Sequence, residues 1–392
     1  MPANDSPQKG LTGQTTRSSS ASGTAKRLII AGGSTGGHLF PGIAIAEEFM
    51  RRSPHNRVLF VSTGRRLERE VLAAQGFTLR SLRAEGLKGR GLLNQIRSLA
   101  KIPAGLVDAL GILNAFRPHL VLGMGGYSAG PVALAAWAKS IPVALHEQNR
   151  IPGMTNRLSA PLAQRIYLSY ADDAGRFNPA KVRLTGNPVR SAIIACRQAA
   201  AQATTASGGR RPFTVFVVGG SQGAHGINQA VMDCLAKLAP EDDYHFVHQT
   251  GTADEALVRA AYQRRHRSAT VRAFFNDMDQ RYNQADLIIC RSGATSVAEL
   301  SVIGKGVIFV PYPFAADNHQ VFNARPLVDL GAAEMILEKD LTGEVLAERI
   351  AYSRAFPEAL AKMARRARRL GRPDAAATIV DDWDALWAEF RR

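Results

Sequence analysis

Cysteine is scarce: Cys196, Cys234 and Cys290 are the only three in 392 residues. They share no metal-ligand spacing and cannot all pair, which argues against a disulfide framework or a zinc site and for buried thiols in a reducing compartment. Long apolar runs are missing as well. No stretch approaches the roughly 20 residues needed to span a bilayer, and the first 25 residues carry no apolar segment of the secretory kind. A cytoplasmic location is expected. Aromatic residues make up only 7% of the chain, and nowhere do they interleave with basic residues as a stacking platform for single-stranded nucleic acid requires. No glycine loop ends in Gly-Lys-Ser/Thr, and the first is not a G-x-G-x-x-G fingerprint, which weakens ATPase and dehydrogenase readings.

What the chain does have is positive charge and apolar mass. Lys and Arg total 49 against 33 Asp and Glu, a formal net charge of +16, and this favours polyanionic partners such as phosphorylated substrates and anionic lipid. Nucleic acid ranks below both. A hydrophobic fraction of 46% over this length supplies two buried cores. Residues 1–25, rich in Ser, Thr, Gly and Gln, have the composition of a disordered tail.

The ordered chain is expected to begin at Arg27-Leu-Ile-Ile-Ala31, an apolar run that ends in Gly32-Gly33-Ser34-Thr35-Gly36-Gly37-His38. Strand, glycine loop and helix follow one another here. Further apolar runs at Val58, Leu120, Val143 and Arg165 repeat the βαβ alternation of a parallel sheet. An Ala/Thr/Gly stretch at 199–209 reads as a surface loop near a domain boundary. The grammar then restarts at Phe213-Thr-Val-Phe-Val-Val218, which runs into Gly219-Gly220-Ser221-Gln222-Gly223. Strands are expected again at Leu287 and Gly306. The fold class is therefore α/β, with two similar doubly wound units.

A glycine loop between strand and helix lets backbone N–H groups approach phosphate oxygens, and the helix dipole adds attraction. Two such loops, and a third cluster at Gly123-Met-Gly125-Gly126-Tyr127-Ser-Ala-Gly-Pro131, suggest two phosphorylated ligands facing each other across a cleft. His146-Glu147-Gln148-Asn149 place four polar side chains just after the strand at Val143. Cys290-Arg-Ser-Gly-Ala294-Thr295-Ser296-Val297-Ala298-Glu299 sets a carboxylate about one turn into a helix, where it can accept both hydroxyls of a ribose.

Together, residues 32–42, 125–127, 146–149, 219–223 and 291–299, with Asp317-Asn-His-Gln320 and Asn323, resemble the MurG family of UDP-N-acetylglucosamine transferases, which complete the lipid-linked peptidoglycan precursor. The resemblance runs from about Arg27 to the C-terminus. It implies a GT-B fold: an acceptor- and membrane-binding domain at 26–189, a UDP-GlcNAc-binding domain at 190–371, and a last helix at 372–392 that packs back on the first domain. No catalytic metal and no cofactor are implied. The donor site it implies comprises Thr35, Gly36, Gly37, Asn149, Arg190, Ser221, Gln222, Gly223, Phe275, residues 294–299 and the pair His319 and Gln320. Gly125, Gly126, Tyr127 and His146 fall to the acceptor, and sugar contact is open between His319 and Gln320.

The implied reaction is attack by the C4 hydroxyl of N-acetylmuramic acid, in undecaprenyl-pyrophosphoryl-MurNAc-pentapeptide, on C1 of UDP-GlcNAc, with inversion. His38 is the candidate base, with His146, Glu147 or solvent as alternatives. The resemblance also implies a peripheral place on the cytoplasmic face of the inner membrane and membership of a cell-wall synthesis complex. Between Leu87 and Phe116, Leu92, Leu93, Ile96, Leu99, Leu106, Leu110 and Leu113 fall at helical spacing among Lys88, Arg90, Arg97 and Lys101, a pattern that suits either the domain core or an anionic membrane surface; the resemblance favours the membrane. Two rival classes stay open: a non-catalytic nucleotide or anionic-lipid binding module, and a UDP-GlcNAc epimerase of the same form.

Overall fold

The computed structural model describes residues 25–33, 36–83, 92–202, 211–220, 222–239 and 241–390, with backbone alone at 92–102 and 199–202. The first sheet holds β1 (Arg27–Ala31), β2 (Arg57–Ser62), β3 (Thr78–Ser81), β4 (Leu120–Gly123), β5 (Val143–Glu147), β6 (Arg165–Leu168) and β7 (Val182–Leu184), in the order 3-2-1-4-5-6-7. The second holds β8 (Phe213–Val218), β9 (Tyr244–Gln249), β10 (Ser268–Arg272), β11 (Leu287–Cys290), β12 (Gly306–Phe309) and β13 (Glu334–Met335), in the order 10-9-8-11-12-13. Every pairing is parallel. Helices cover both faces, so the central strands are apolar throughout rather than alternating. Leu28, Ile29, Ile30 and Ala31 have no exposure at all, nor have Val215, Phe216 and Val217.

The chain returns to its first sheet at the end. The helix Ala375–Phe390 lays a fully buried Trp383 edge-on to Phe49, ring centroids 5.6 Å apart, in one cluster with Leu28 and Ile30. Arg165 of β6 holds Glu389 at 2.6 Å, and Tyr167 donates to Asp382 at 2.9 Å.

Three local expectations change. The stretch at 199–209 does not begin as a loop, because the helix Ser191–Gln202 runs into it; its alanines favour helix. β5 continues through His146 and Glu147, which pair with Tyr167 and Leu168 of β6, so two polar residues expected just after the strand lie inside the sheet. In the helix Leu92–Phe116, Leu113 is 1% exposed and Leu106 and Leu110 pack on the first domain's core. Those three leucines face inward, not toward a membrane. The side chains of Leu92, Leu93, Ile96, Leu99, Lys88, Arg90, Arg97 and Lys101 lie outside the described residues.

Candidate active site

β1 and β4 lie side by side where the strand order of the first sheet reverses, and β8 and β11 do so in the second. Loops leaving the carboxyl ends of these strands border the crevice where open α/β sheets take their ligands. Those loops are residues 32–38, 123–131, 219–223 and 291–299, the four motifs singled out above.

In the first domain the two loops touch through their backbones. Gly32 has φ +117°, and a Cβ there would stand 2.3 Å from the Gly125 carbonyl oxygen, so only glycine permits the approach. Gly36 and Gly37 open the helix Gly36–Arg52, whose first turn holds no acidic residue; its free N–H groups are the positive end of the dipole. Thr35 lies outside the described residues, as does Ser221. His38, half-buried on that first turn, has Nδ1 2.8 Å from Oε1 of Gln148. Its ring lies against the other loop, since a Cβ on Gly125 would meet Cε1 at 3.3 Å. Gly126 and the exposed Tyr127 complete this wall.

Behind it the polar residues of β5 are buried. His146 is wholly enclosed, and burial pushes its pKa down to about 4, so the ring is neutral near pH 7. Glu147 accepts four hydrogen bonds: from the N–H and side-chain amide of Asn149 on Oε1, and from Gly153 N–H and Asn156 Nδ2 on Oε2. Both its oxygens are engaged in bracing the loop at 149–156. Asn156 also donates to the His146 carbonyl at 3.0 Å, while its Oδ1 is buried without a partner. Nothing in the sequence pattern singled out Asn156.

The second domain answers across the crevice. The helix Ala294–Ile303 starts opposite Gly37, and Thr295 Oγ1 donates to the Gly37 carbonyl at 3.1 Å. Glu299, 3% exposed, takes Arg190 on Oε1 at 2.7 Å, and the Arg190 guanidinium sits 4.4 Å from the centroid of Phe40. Val297 is turned into the core, Ala294 is buried, and Ser296 and Ala298 are half-buried. Gly223, at φ +79°, lies so close to Thr250 that a Cβ would reach its carbonyl at 2.4 Å. Gln249 pins the same loop by donating to the Gly220 carbonyl at 3.0 Å and accepts from Phe275 N–H. Gln222 is exposed. The Phe275 ring is core, T-shaped on Phe216, so it is not offered to a ligand.

His319 donates Nδ1–H to the Ala316 carbonyl at 2.8 Å, and Gln320 accepts Tyr312 N–H on Oε1 at 2.9 Å. Asp317 and Asn318 precede them with φ of +53° and +51°, a left-handed pair of the kind that collects at functional sites. Asn323, fully buried, then clasps the domains: its Nδ2 donates to Asn149 Oδ1 at 3.1 Å and its Oδ1 accepts Arg150 N–H at 3.0 Å.

Glycine loops from both domains, two helix N-termini bridged by Thr295 and a histidine beside them border the crevice, an arrangement with the donors to hold an anion and a group to move a proton. Known proteins carry the same two halves. The glycosyltransferase family 28 N-terminal domain matches residues 28–168, and the C-terminal domain of that family matches residues 214–379. The UDP-N-acetylglucosamine--N-acetylmuramyl-(pentapeptide) pyrophosphoryl-undecaprenol N-acetylglucosamine transferase of Syntrophus aciditrophicus (strain SB) is 45% identical over 361 residues, 92% of this chain and 98% of that one. The chain belongs to glycosyltransferase family 28. The family protein of the same name from Anaeromyxobacter dehalogenans (strain 2CP-C) is 46% identical over 91% of both chains. Among solved structures, MurG of Acinetobacter baumannii superposes with a TM-score of 0.70 at 28% identity, covering 91% of this chain and 98% of that one. A UDP-GlcNAc 2-epimerase from Neisseria meningitidis reaches a TM-score of 0.64 at 17% identity, covering 91% of this chain and 98% of that one; that likeness is of fold alone.

Proposed function

We propose that this family 28 enzyme moves N-acetylglucosamine from UDP-N-acetylglucosamine to the C4 hydroxyl of the N-acetylmuramyl-pentapeptide carried on pyrophosphoryl-undecaprenol. The observation that carries the reading is the near-full-length likeness to transferases named for that reaction. The cleft supplies a way to do it. UDP lies over the second sheet, with Glu299 on the ribose, the backbone of Gly219, Gly220, Gln222 and Gly223 and the start of the Ala294–Ile303 helix on the diphosphate, and Gln320 or His319 on the sugar. The acceptor lies over Gly125, Gly126 and Tyr127. His38 Nε2 takes the C4 hydroxyl proton as the oxygen bonds to C1 from the face opposite UDP. The C1–O bond to the β-phosphate breaks with its electron pair on UDP, and the two helix N-termini meet that charge. Glu147 acts as a loop brace in this reading rather than as a proton carrier, because both its oxygens are engaged. His38→Ala should lower turnover about 10²–10⁴-fold; a loss below tenfold with the fold intact passes the proton to another group.

The lipid acceptor requires a membrane contact, and none of the helices among the described residues is long and apolar enough to cross one. The helices Ala129–Ala138 and Met154–Ser159, which follow the acceptor loop and the polar strand, offer a candidate surface. Trp137 is 53% exposed, Met154 55% and Leu158 73%, with Lys139 and Arg157 exposed beside them. An apolar patch with a basic rim docks on an anionic bilayer, which supports a peripheral site on the cytoplasmic face of the inner membrane. Binding to vesicles containing anionic lipid should fall when Trp137 and Leu158 are both changed to Ser; undiminished binding removes this surface from the account.

A further inference from the structure

The proton inventory around His38 closes in only one way. Gln148 Nε2 lies 3.1 Å from the Met124 carbonyl and 3.2 Å from the His146 carbonyl. Carbonyl oxygens only accept, so this atom is the amide nitrogen and the side chain cannot be turned over. The other amide atom, Oε1, is then an acceptor, and at 2.8 Å it must receive a proton from His38 Nδ1. A neutral His38 so held carries its hydrogen on Nδ1 and its lone pair on Nε2. His146 Nδ1, 2.9 Å from the same nitrogen, is a third acceptor that shares its two hydrogens with the two carbonyls, and His146 Nε2 points at the Gly186 carbonyl 3.4 Å away. His146 therefore donates from Nε2, accepts on Nδ1, and presents the amide of Gln148 in one orientation.

We infer that Gln148, held by the Met124 and His146 carbonyls, is a positioning residue that fixes the tautomer of His38 and so keeps Nε2 free as a proton acceptor. The inference rests on the base assignment for its consequence in turnover, but the tautomer can be read without turnover. The chain of contacts also reaches Gly186, which has φ +85° and packs against Arg372, in the segment between the two domains. The geometry of the base is thus tied to the backbone that joins them. A general partner for a histidine in such a place is a carboxylate; an amide supplies the same acceptor without adding a charge beside a site built for a diphosphate.

The test uses the full-length protein, with histidine side chains labelled with nitrogen-15, and its Gln148→Met variant, which keeps the length of the side chain and removes its hydrogen bonds. In the parent, His38 at neutral form should show the Nδ1–H tautomer; in Gln148→Met it should move toward Nε2–H, the form favoured in water. Turnover should fall about 10²-fold or more with KM for UDP-GlcNAc unchanged, in line with the loss seen when a catalytic histidine is held in the wrong tautomer. A parent His38 in the Nε2–H form overturns the inference without any variant, and so does an Nδ1–H form that survives in Gln148→Met. If both tautomers behave as stated but His38→Ala turns over normally, the base assignment fails and the positioning by Gln148 stands.

Discussion

Glu299→Ala perturbs two properties that the structure allows to be separated. The carboxylate holds Arg190 at 2.7 Å, with the two side chains 4% and 22% exposed, so removing it strands a largely buried guanidinium over Phe40. Breaking such a pair from one side costs on the order of 3 kcal/mol. For a domain of this size each kcal/mol moves the melting midpoint by about 2–4 °C, so the second domain should melt roughly 6–12 °C lower. Loss of a charge-assisted bond to the ribose should separately weaken UDP by ~1.5–3 kcal/mol, about one to two decades in affinity. Calorimetry supplies both readings, a melting scan and a UDP titration. Adding Arg190→Leu removes the stranded charge, so the double variant should regain part of the midpoint while its UDP affinity stays low. Affinity that recovers in step with the midpoint, or that never falls, would refute the direct contact and leave Glu299 as a support for Arg190.

Acid should weaken the fold through His146: the unfolded ring protonates near 6.5 and the folded one only near 4. This contribution is whole above pH 6.5, declines by up to about 1.4 kcal/mol per unit as pH falls toward 4, and is unaffected by raising the pH. Denaturant melts across that window check it, and a flat profile contradicts it. Gly32→Ala should disrupt the junction of the two glycine loops, because its Cβ would fall 2.3 Å from a backbone oxygen at φ +117°; a strain of about 1–3 kcal/mol and a raised KM for the lipid acceptor are expected, and an unchanged KM would mean the loops are not the acceptor wall. Asn323→Leu leaves the Arg150 N–H, now bonded at 3.0 Å, without its acceptor, and should cost about 1–3 kcal/mol in a denaturant melt; an unaltered melt removes the clasp from the account.

The double α/β architecture was legible because parallel strands buried on both faces leave unbroken apolar runs, and because each run that ends at a switch point gives way to glycine. Val143 to Leu145 was read correctly as strand but stopped early: His146 and Glu147 look like turn residues until the neighbours that satisfy them, Gln148, Asn149 and Asn156, are seen in space. The inward turn of Leu106, Leu110 and Leu113 was hidden for a similar reason, since helical spacing defines a face without saying what it meets. Glu299, His38 and the glycine loops stood out by residue type and position after a strand. The Thr295 bridge to Gly37 and the clasp of Asn323 on Asn149 did not, because contacts separated by 258 and 174 residues leave no local pattern.

Acceptor-dependent release of UDP tests the central claim most directly. The protein is incubated with UDP-GlcNAc, with and without the undecaprenyl-pyrophosphoryl-MurNAc-pentapeptide, and both UDP and the lipid product are measured. Equal amounts of UDP and of lipid carrying one added N-acetylglucosamine, neither formed without acceptor, are predicted. Isomerised UDP-sugar formed in the absence of acceptor, or binding with no turnover in its presence, would contradict the account.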